Sequence, residues 1–175
     1  KLVLIALGVA FVVRTFLFSP IIVDGPSMQP TLYSKDQMIV NKITYKFKQP
    51  ERFDIVVFHA SEQKDFIKRV IGLPGDHVMV QDDILYINGE PLAEPFLDDL
   101  DEDESLFPVR TEDFRLEELK GNYERIPEGY IFVLGDNRHN STDSRHDALG
   151  LVPLDEVVGK TNVIYWPPSR MQIVQ

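Results

Sequence analysis

Apolar positions along this chain follow two rhythms. The first is continuous. Residues 2–13 carry no charge and no strong polar group, and after Arg14 and Thr15 the run resumes through Phe16, Leu17 and Phe18 before Ser19 and Pro20. A bilayer-spanning helix needs about 20 predominantly apolar residues. This run falls slightly short of that, but the sequence opens on Lys1, and an upstream part of the segment is expected. It lacks the polar face of an amphipathic core helix and the small residues of a signal-peptide cleavage site. The pattern predicts one membrane anchor over residues 1–19. Arg14 would snorkel to the interface, and Pro20 would end the helix by pushing the preceding residue out of the α region.

The second rhythm is short and β-branched. Residues 21–23, 37–42, 54–59, 65–73, 78–81, 84–87, 130–134 and 161–166 read as strands, with turn residues between them. Asn88-Gly89 follows a strand-like run and tolerates positive φ at both positions, which predicts a two-residue hairpin. Many short strands of this kind predict a mainly β body over residues 20–175. Its antiparallel sheets are expected to form a sandwich or partly closed barrel.

Residues 94–125 break the rhythm. Asp98, Asp99, Asp101, Glu102, Asp103 and Glu104 form a dense acidic run, and residues 112–119 fit one short amphipathic helix. Like charges repel and keep such a run in water. The region reads as an excursion from the β body, not as a domain of its own, and no internal repeat is visible.

Composition narrows the chemistry. A formal net charge of −10 argues against nucleic acid, whose phosphates call for a basic face. No cysteine is present, which removes thiol catalysis, disulfides and cysteine metal sites. His59, His77, His139 and His146 show no ligand spacing, so no metal is expected.

Three polar stretches carry candidate chemistry. Ser27 lies between Pro26 and the Met28-Gln29-Pro30 run, with Gly25 two residues before it; such a turn can hold a hydroxyl outward, although turns of this composition are common on surfaces. In residues 65–71, alternation puts Phe66, Lys68 and Val70 on one face and Ile67, Arg69 and Ile71 on the other. A lysine between Phe and Val can be desolvated, which lowers its pKa and lets it accept a proton; it can equally snorkel to water. The third stretch, residues 135–145, is dense in hydrogen-bonding groups and can be either a support for a site or a surface loop. Ser27, Ser141 and Ser144 with His139 or His146 also permit a Ser-His-Asp arrangement, because triads follow geometry and not chain order.

In this order after one apolar segment, the three stretches resemble bacterial type I signal peptidases, the leader peptidase family of serine-lysine proteases. Ser27-Met28-Gln29-Pro30-Thr31-Leu32 is similar to the family's nucleophile motif. Lys68-Arg69-Val70-Ile71-Gly72-Leu73-Pro74-Gly75-Asp76 is similar to its general-base motif. Gly135-Asp136-Asn137-Arg138 through Asp143-Ser144-Arg145 is similar to its third motif.

The resemblance implies Ser27 as nucleophile and Lys68 as general base. It implies Ser141 as orienter of the Lys68 amine, an Asp143–Arg145 support pair, and Asp136 nearby. Val23, Met28, Leu32, Phe66 and Ile67 would form pockets for small residues. It further implies a single-pass protein of the cell membrane with its catalytic domain outside the cytoplasm. Its apolar membrane-facing surface would include Phe16 and Phe18, with Trp166 either at that interface or buried. Its partners would be membrane lipid and signal-peptide-bearing precursors cleaved after small-x-small motifs, with no cofactor.

Gly25 departs from members that carry a serine there to bind the oxyanion, and it suggests the Gram-positive style of the family. Two other readings fit parts of the chain: a soluble self-cleaving serine-lysine protease, and a membrane-tethered β domain that binds a partner without catalysis.

Overall fold

The computed structural model describes residues 2, 3, 5, 6, 8, 17–97 and 111–174. Residues 2, 3, 5, 6 and 8 are helical and exposed. Among the described residues no helix is long and apolar enough to cross a membrane. Most of the anchor expected at residues 1–19, including Phe16, lies outside the described residues, as does the whole acidic run at 98–104.

Twelve strands are present among the described residues. They are β1 (Phe18–Ile22), β2 (Gln37–Asn41), β3 (Ile55–Ser61), β4 (Lys64–Gly72), β5 (Val78–Gln81), β6 (Ile84–Ile87), β7 (Glu90–Leu92), β8 (Phe114–Arg115), β9 (Tyr130–Leu134), β10 (Val152–Pro153), β11 (Val157–Trp166) and β12 (Gln172–Ile173). The larger sheet runs β1-β2-β11-β3-β4-β9-β10 with β12 also beside β11, and the smaller runs β7-β6-β5-β8. All pairs are antiparallel. The expectation of a mainly β, antiparallel body holds. The partly closed barrel does not: both sheets are open, and β1 and β10 are the ends of the larger one.

Alternation explains the core. In β3, Ile55 and Val57 join one apolar cluster with Met28, Leu32 and Met38, while Val56 and Phe58 join another with Val70 and Val133. The strand is thus buried on both faces. A third cluster joins the sheets through Ile71, Val78, Phe114, Leu116 and Phe132. Each such side chain contributes about 1.5–3 kcal/mol when taken from water.

Two local readings change. β1 begins at Phe18 and runs through Pro20, instead of starting after it. An edge strand tolerates proline because one side of it needs no N–H donor. The short helix expected over 112–119 is replaced by β8 and a 3-10 turn at Leu116–Glu118. Phe114 and Leu116, two positions apart, both enter the third cluster while β8 pairs with β5. A single helix of that length has too little intrinsic stability to compete.

Candidate active site

The turn after β1 is built from both ends. Val23 N–H donates to Asp36 O at 2.8 Å and Lys35 N–H to Val23 O at 2.8 Å, which close its base. Gly25 takes a φ of +90°, open to glycine and costly to other residues. Met28 and Leu32 are buried in the first cluster and pin the far side. Ser27 is left at the edge of a groove of about 390 Å³. One wall of that groove comes from residues 21–28 and the other from residues 64–68 of β4, with Asn140 and Thr142 at the end.

β4 brings in Lys68. Lys68 is only 3% exposed. Its Nζ donates to Ser27 Oγ at 2.9 Å and to Ile67 O at 3.0 Å, and lies 5.0 Å from the Phe66 ring centre. Burial lowers the amine pKa to about 8, against the opposing pull of the Asp143 and Asp136 charges. At that value about one lysine in ten is neutral at pH 7.

The loop after β9 closes the back of the site. Gly135 lies so tightly against the serine turn that an added Cβ would sit 2.4 Å from Ser27 O and 2.1 Å from Ser141 Oγ. Asn137 N–H donates to Ser27 O at 3.1 Å. Gly135 N–H donates to Asp143 Oδ2 at 3.0 Å, and Arg145 grips Asp143 through Nε and Nη2, each at 2.9 Å. Burial works against the Asp143 charge, but the Arg145 guanidinium outweighs it, and the Gly135 N–H and nearby Ser141 hydroxyl help to hold the carboxyl below its ordinary range.

Asp136 turns inward to Arg69. Nε and Nη2 of Arg69 donate to its two oxygens at 2.9 and 2.7 Å, with both side chains fully buried. Thr31 Oγ1, on the serine turn, donates to the same carboxylate at 2.6 Å. Thr31, Asp136 and Arg69 therefore tie the three sequence stretches together.

Placed against the residues expected from sequence, Ser27, Lys68, Asp136, Asp143 and Arg145 all gather here. Ser141 is buried beside Gly135, but its Oγ makes no hydrogen bond of good geometry, so the expected bond to the Lys68 amine is not formed. Val23, Met28, Phe66 and Ile67 line the groove, whereas Leu32 lies in the core and does not reach it.

The histidines stand elsewhere. His139 and His146 line a separate hollow with Arg138 and Arg145, and His146 Nδ1 is 3.8 Å from Asp143 Oδ1. Ser144 Oγ accepts from Val133 N–H at 2.9 Å, a structural tie to β9. The titratable side chain in contact with Ser27 Oγ is Lys68.

Four further residues were not singled out by pattern: Thr31, Arg138, Glu94 and Phe96. Thr31 and Arg138 stood inside recognised motifs, and only their contacts reveal their part. No local signal marks Glu94 or Phe96.

Known proteins are similar to this chain over most of its length. The family described as "Signal peptidase, peptidase S26" matches residues 1–166. Signal peptidase I of Bacillus caldolyticus is 48% identical over 164 residues, covering 93% of this chain and 87% of the relative. Signal peptidase I T of Bacillus subtilis strain 168 is 40% identical over 174 residues, covering 98% and 86%. The crystal structure of a signal peptidase I from Enterococcus faecalis V583 aligns with a TM-score of 0.59 at 43% identity, covering 65% of this chain and 97% of that one.

Proposed function

The chain belongs to the signal peptidase family, peptidase S26, and we propose that it cleaves with Ser27 as nucleophile and Lys68 as general base. It is a serine endopeptidase that removes signal peptides from exported precursor proteins. The observation that carries the mechanism is the 2.9 Å contact between the Lys68 amine and the Ser27 hydroxyl.

Neutral Lys68 takes the Ser27 proton as Oγ attacks the scissile carbonyl. The oxyanion forms beside the Ser27 backbone N–H. Gly25 supplies no side-chain donor, and a Cβ built there meets nothing within 4 Å. The C–N bond then breaks, the Lys68 ammonium protonates the leaving amine, and the mature protein departs. The signal peptide stays as an ester on Ser27. Water gives a proton to Lys68 and attacks the ester carbonyl; the acyl C–Oγ bond then breaks, the Lys68 ammonium returns the proton to Ser27 Oγ, and the signal peptide leaves with a free carboxyl terminus.

The groove supports a substrate in extended form. β4 pairs with β9 only from Arg69 onward, so residues 64–68 present an edge free of β9 beside the nucleophile. A peptide laid there adds as a strand. Val23, Met28, Phe66 and Ile67 would restrict the pockets to small side chains, in keeping with cleavage after small-x-small motifs.

We also propose that the apolar segment preceding β1 anchors the chain once in the cell membrane, with the catalytic domain, from β1 onward, outside the cytoplasm. In support, Phe18, Pro20 and Ile22 share one face of the edge strand β1, in register with Asn41, Ile39 and Gln37. Trp166, opposite Gln37, is 51% exposed. Phe47 is 84% exposed between the exposed Lys46 and Lys48. Aromatic and basic residues together suit a bilayer interface.

Incubating the detergent-solubilised chain with a signal-peptide-bearing precursor tests the function. Cleavage after a small-x-small sequence, with an acyl ester on Ser27 after acid quenching, is expected. Failure of well-folded protein to cleave would overturn it. For the topology, alkaline carbonate should leave the chain in the membrane pellet; release into the supernatant counts against the anchor.

A further inference from the structure

The groove faces the substrate, but the catalytic loop also has a back. Two buried arginines stand there. Arg69 holds Asp136, and Arg138 Nε donates to Gly135 O at 3.0 Å. Asp136 reaches Thr31 of the serine turn, and Gly135 abuts Ser27 O. These two adjacent loop residues therefore touch the nucleophile's turn, and each is held by one arginine.

Both arginines are gripped in turn by one short stretch at the root of the acidic excursion, Glu94-Pro95-Phe96. The Glu94 carboxylate takes both terminal nitrogens of Arg138. Thr111, on the returning side of the excursion, accepts from Arg138 Nη1 at 2.9 Å. The Phe96 ring covers Arg69, with the guanidinium carbon 3.9 Å from the ring centre, and packs edge-on to Phe53 at 5.1 Å. A carboxylate neutralises one buried cation, and an aromatic face shields the other from water.

We propose that Glu94 and Phe96 are positioning residues for the Ser27–Lys68 pair, acting through Arg138 and Arg69 on the Gly135–Asp136 backbone. This rests on the peptidase reading above and gives the excursion a part in it. The root holds the loop against the serine turn and so sets the distance between hydroxyl and amine. A misplacement of about 1 Å in such a pair can cost on the order of 100-fold in rate. A loop loosened from the serine turn would also admit water to the Lys68 amine, whose pKa is lowered chiefly by burial.

The test uses the full chain in detergent with Glu94→Gln, Phe96→Leu and the conservative Phe96→Tyr. Turnover and KM are measured on a signal-peptide precursor. In parallel, Lys68 is titrated by NMR of lysine-labelled protein, assigned with Lys68→Arg.

The expected result is a fall in kcat of about 10- to 100-fold at nearly constant KM for Glu94→Gln and Phe96→Leu. The Lys68 titration should move upward toward ordinary lysine, and Phe96→Tyr should behave as the parent. Folded variants with unchanged kcat and unchanged titration overturn the proposal. So does a loss that merely follows the melted fraction and returns on cooling. If the parent chain cleaves no precursor, the peptidase reading falls, and the Lys68 titration alone still decides whether the excursion root positions the pair.

Discussion

Lys68 Nζ lies 2.9 Å from Ser27 Oγ, a contact across 41 positions of sequence that joins an edge turn to a buried strand. The serine turn is half open to the groove, while the lysine reaches it from the interior. Their meeting places a depressed-pKa amine against a hydroxyl at the edge of an open groove.

Loss of either partner should stop the chemistry without unfolding the protein. Ser27→Ala and Lys68→Met are expected to lower precursor cleavage by about 100- to 10,000-fold, the range of a general base, and more where no residual route exists. Circular dichroism should be unchanged. Substantial activity in either variant would remove the dyad from the mechanism.

The pH dependence follows from Lys68. Its conjugate acid is inactive, so kcat/KM should rise with an apparent pKa of about 8 and level off above it. A limb near histidine's ordinary value of about 6.5, abolished by His139→Ala or His146→Ala, would favour a histidine base instead.

Stability should carry the same signature with its own sign. The folded pKa is about 8 against an ordinary lysine value of 10.5, so the unfolded chain binds more protons between those values. Burying the charged amine then costs about 3 kcal/mol below pH 8, at 1.36 kcal/mol per pKa unit. The cost disappears as pH rises from 8 to 10.5. Denaturant unfolding of the parent minus that of Lys68→Met should gain stability across this window; a flat difference would contradict the burial of a titrating amine.

Asp143→Asn should separate two effects. The Asp143 charge raises the Lys68 pKa against the larger lowering by burial, so its removal should shift the limb of kcat/KM to lower pH. Arg145 would meanwhile lose its carboxylate, and breaking a buried pair costs about 3–5 kcal/mol. A limb that moves to higher pH would show that loop loosening outweighs the lost charge.

Gly135→Ala tests the close approach of the loop. The new Cβ would meet Ser27 O at 2.4 Å, and a backbone atom yields far less easily than a side chain. A marked drop in both melting temperature and turnover is expected. Adding Ser141→Ala removes the Oγ contact at 2.1 Å but leaves Ser141 Cβ at 2.6 Å, and should restore only part of the loss. Full recovery in the double variant would place the pressure on the Ser141 hydroxyl alone.

Much of this was legible in the chain. β5, β6 and β9 occupy the residues that β-branched alternation marks, and Asn88 and Gly89 both take the positive φ that their hairpin demands. The partition of Phe66, Lys68 and Val70 from Ile67 and Ile71 follows from a period of two: Ile67 joins the first apolar cluster, and Val70 joins a different one with Phe66 packed against it. These are local matters, decided by neighbours one to four positions away, and sequence reads them directly. The motifs around Ser27, Lys68 and Asp143 were visible in the same way, as residue types in order.

What sequence alone determined was therefore a mainly β chain with an apolar leading segment and a serine, a lysine and a polar loop capable of joint chemistry. The tertiary structure decided which groups meet. It put the lysine and not a histidine against Ser27, left Ser141 Oγ without a bond to the Lys68 amine, and sank Leu32 into the core. It turned residues 114–118 from an expected helix into a strand and a 3-10 turn, and it brought Glu94 and Phe96 behind the catalytic loop. The physical reason is separation along the chain. Arg69 and Asp136 are 67 positions apart and Glu94 and Arg138 are 44, so no local pattern encodes their pairing. Burial, and with it the lowered pKa of Lys68, arises only when distant strands pack around a side chain and exclude water from it.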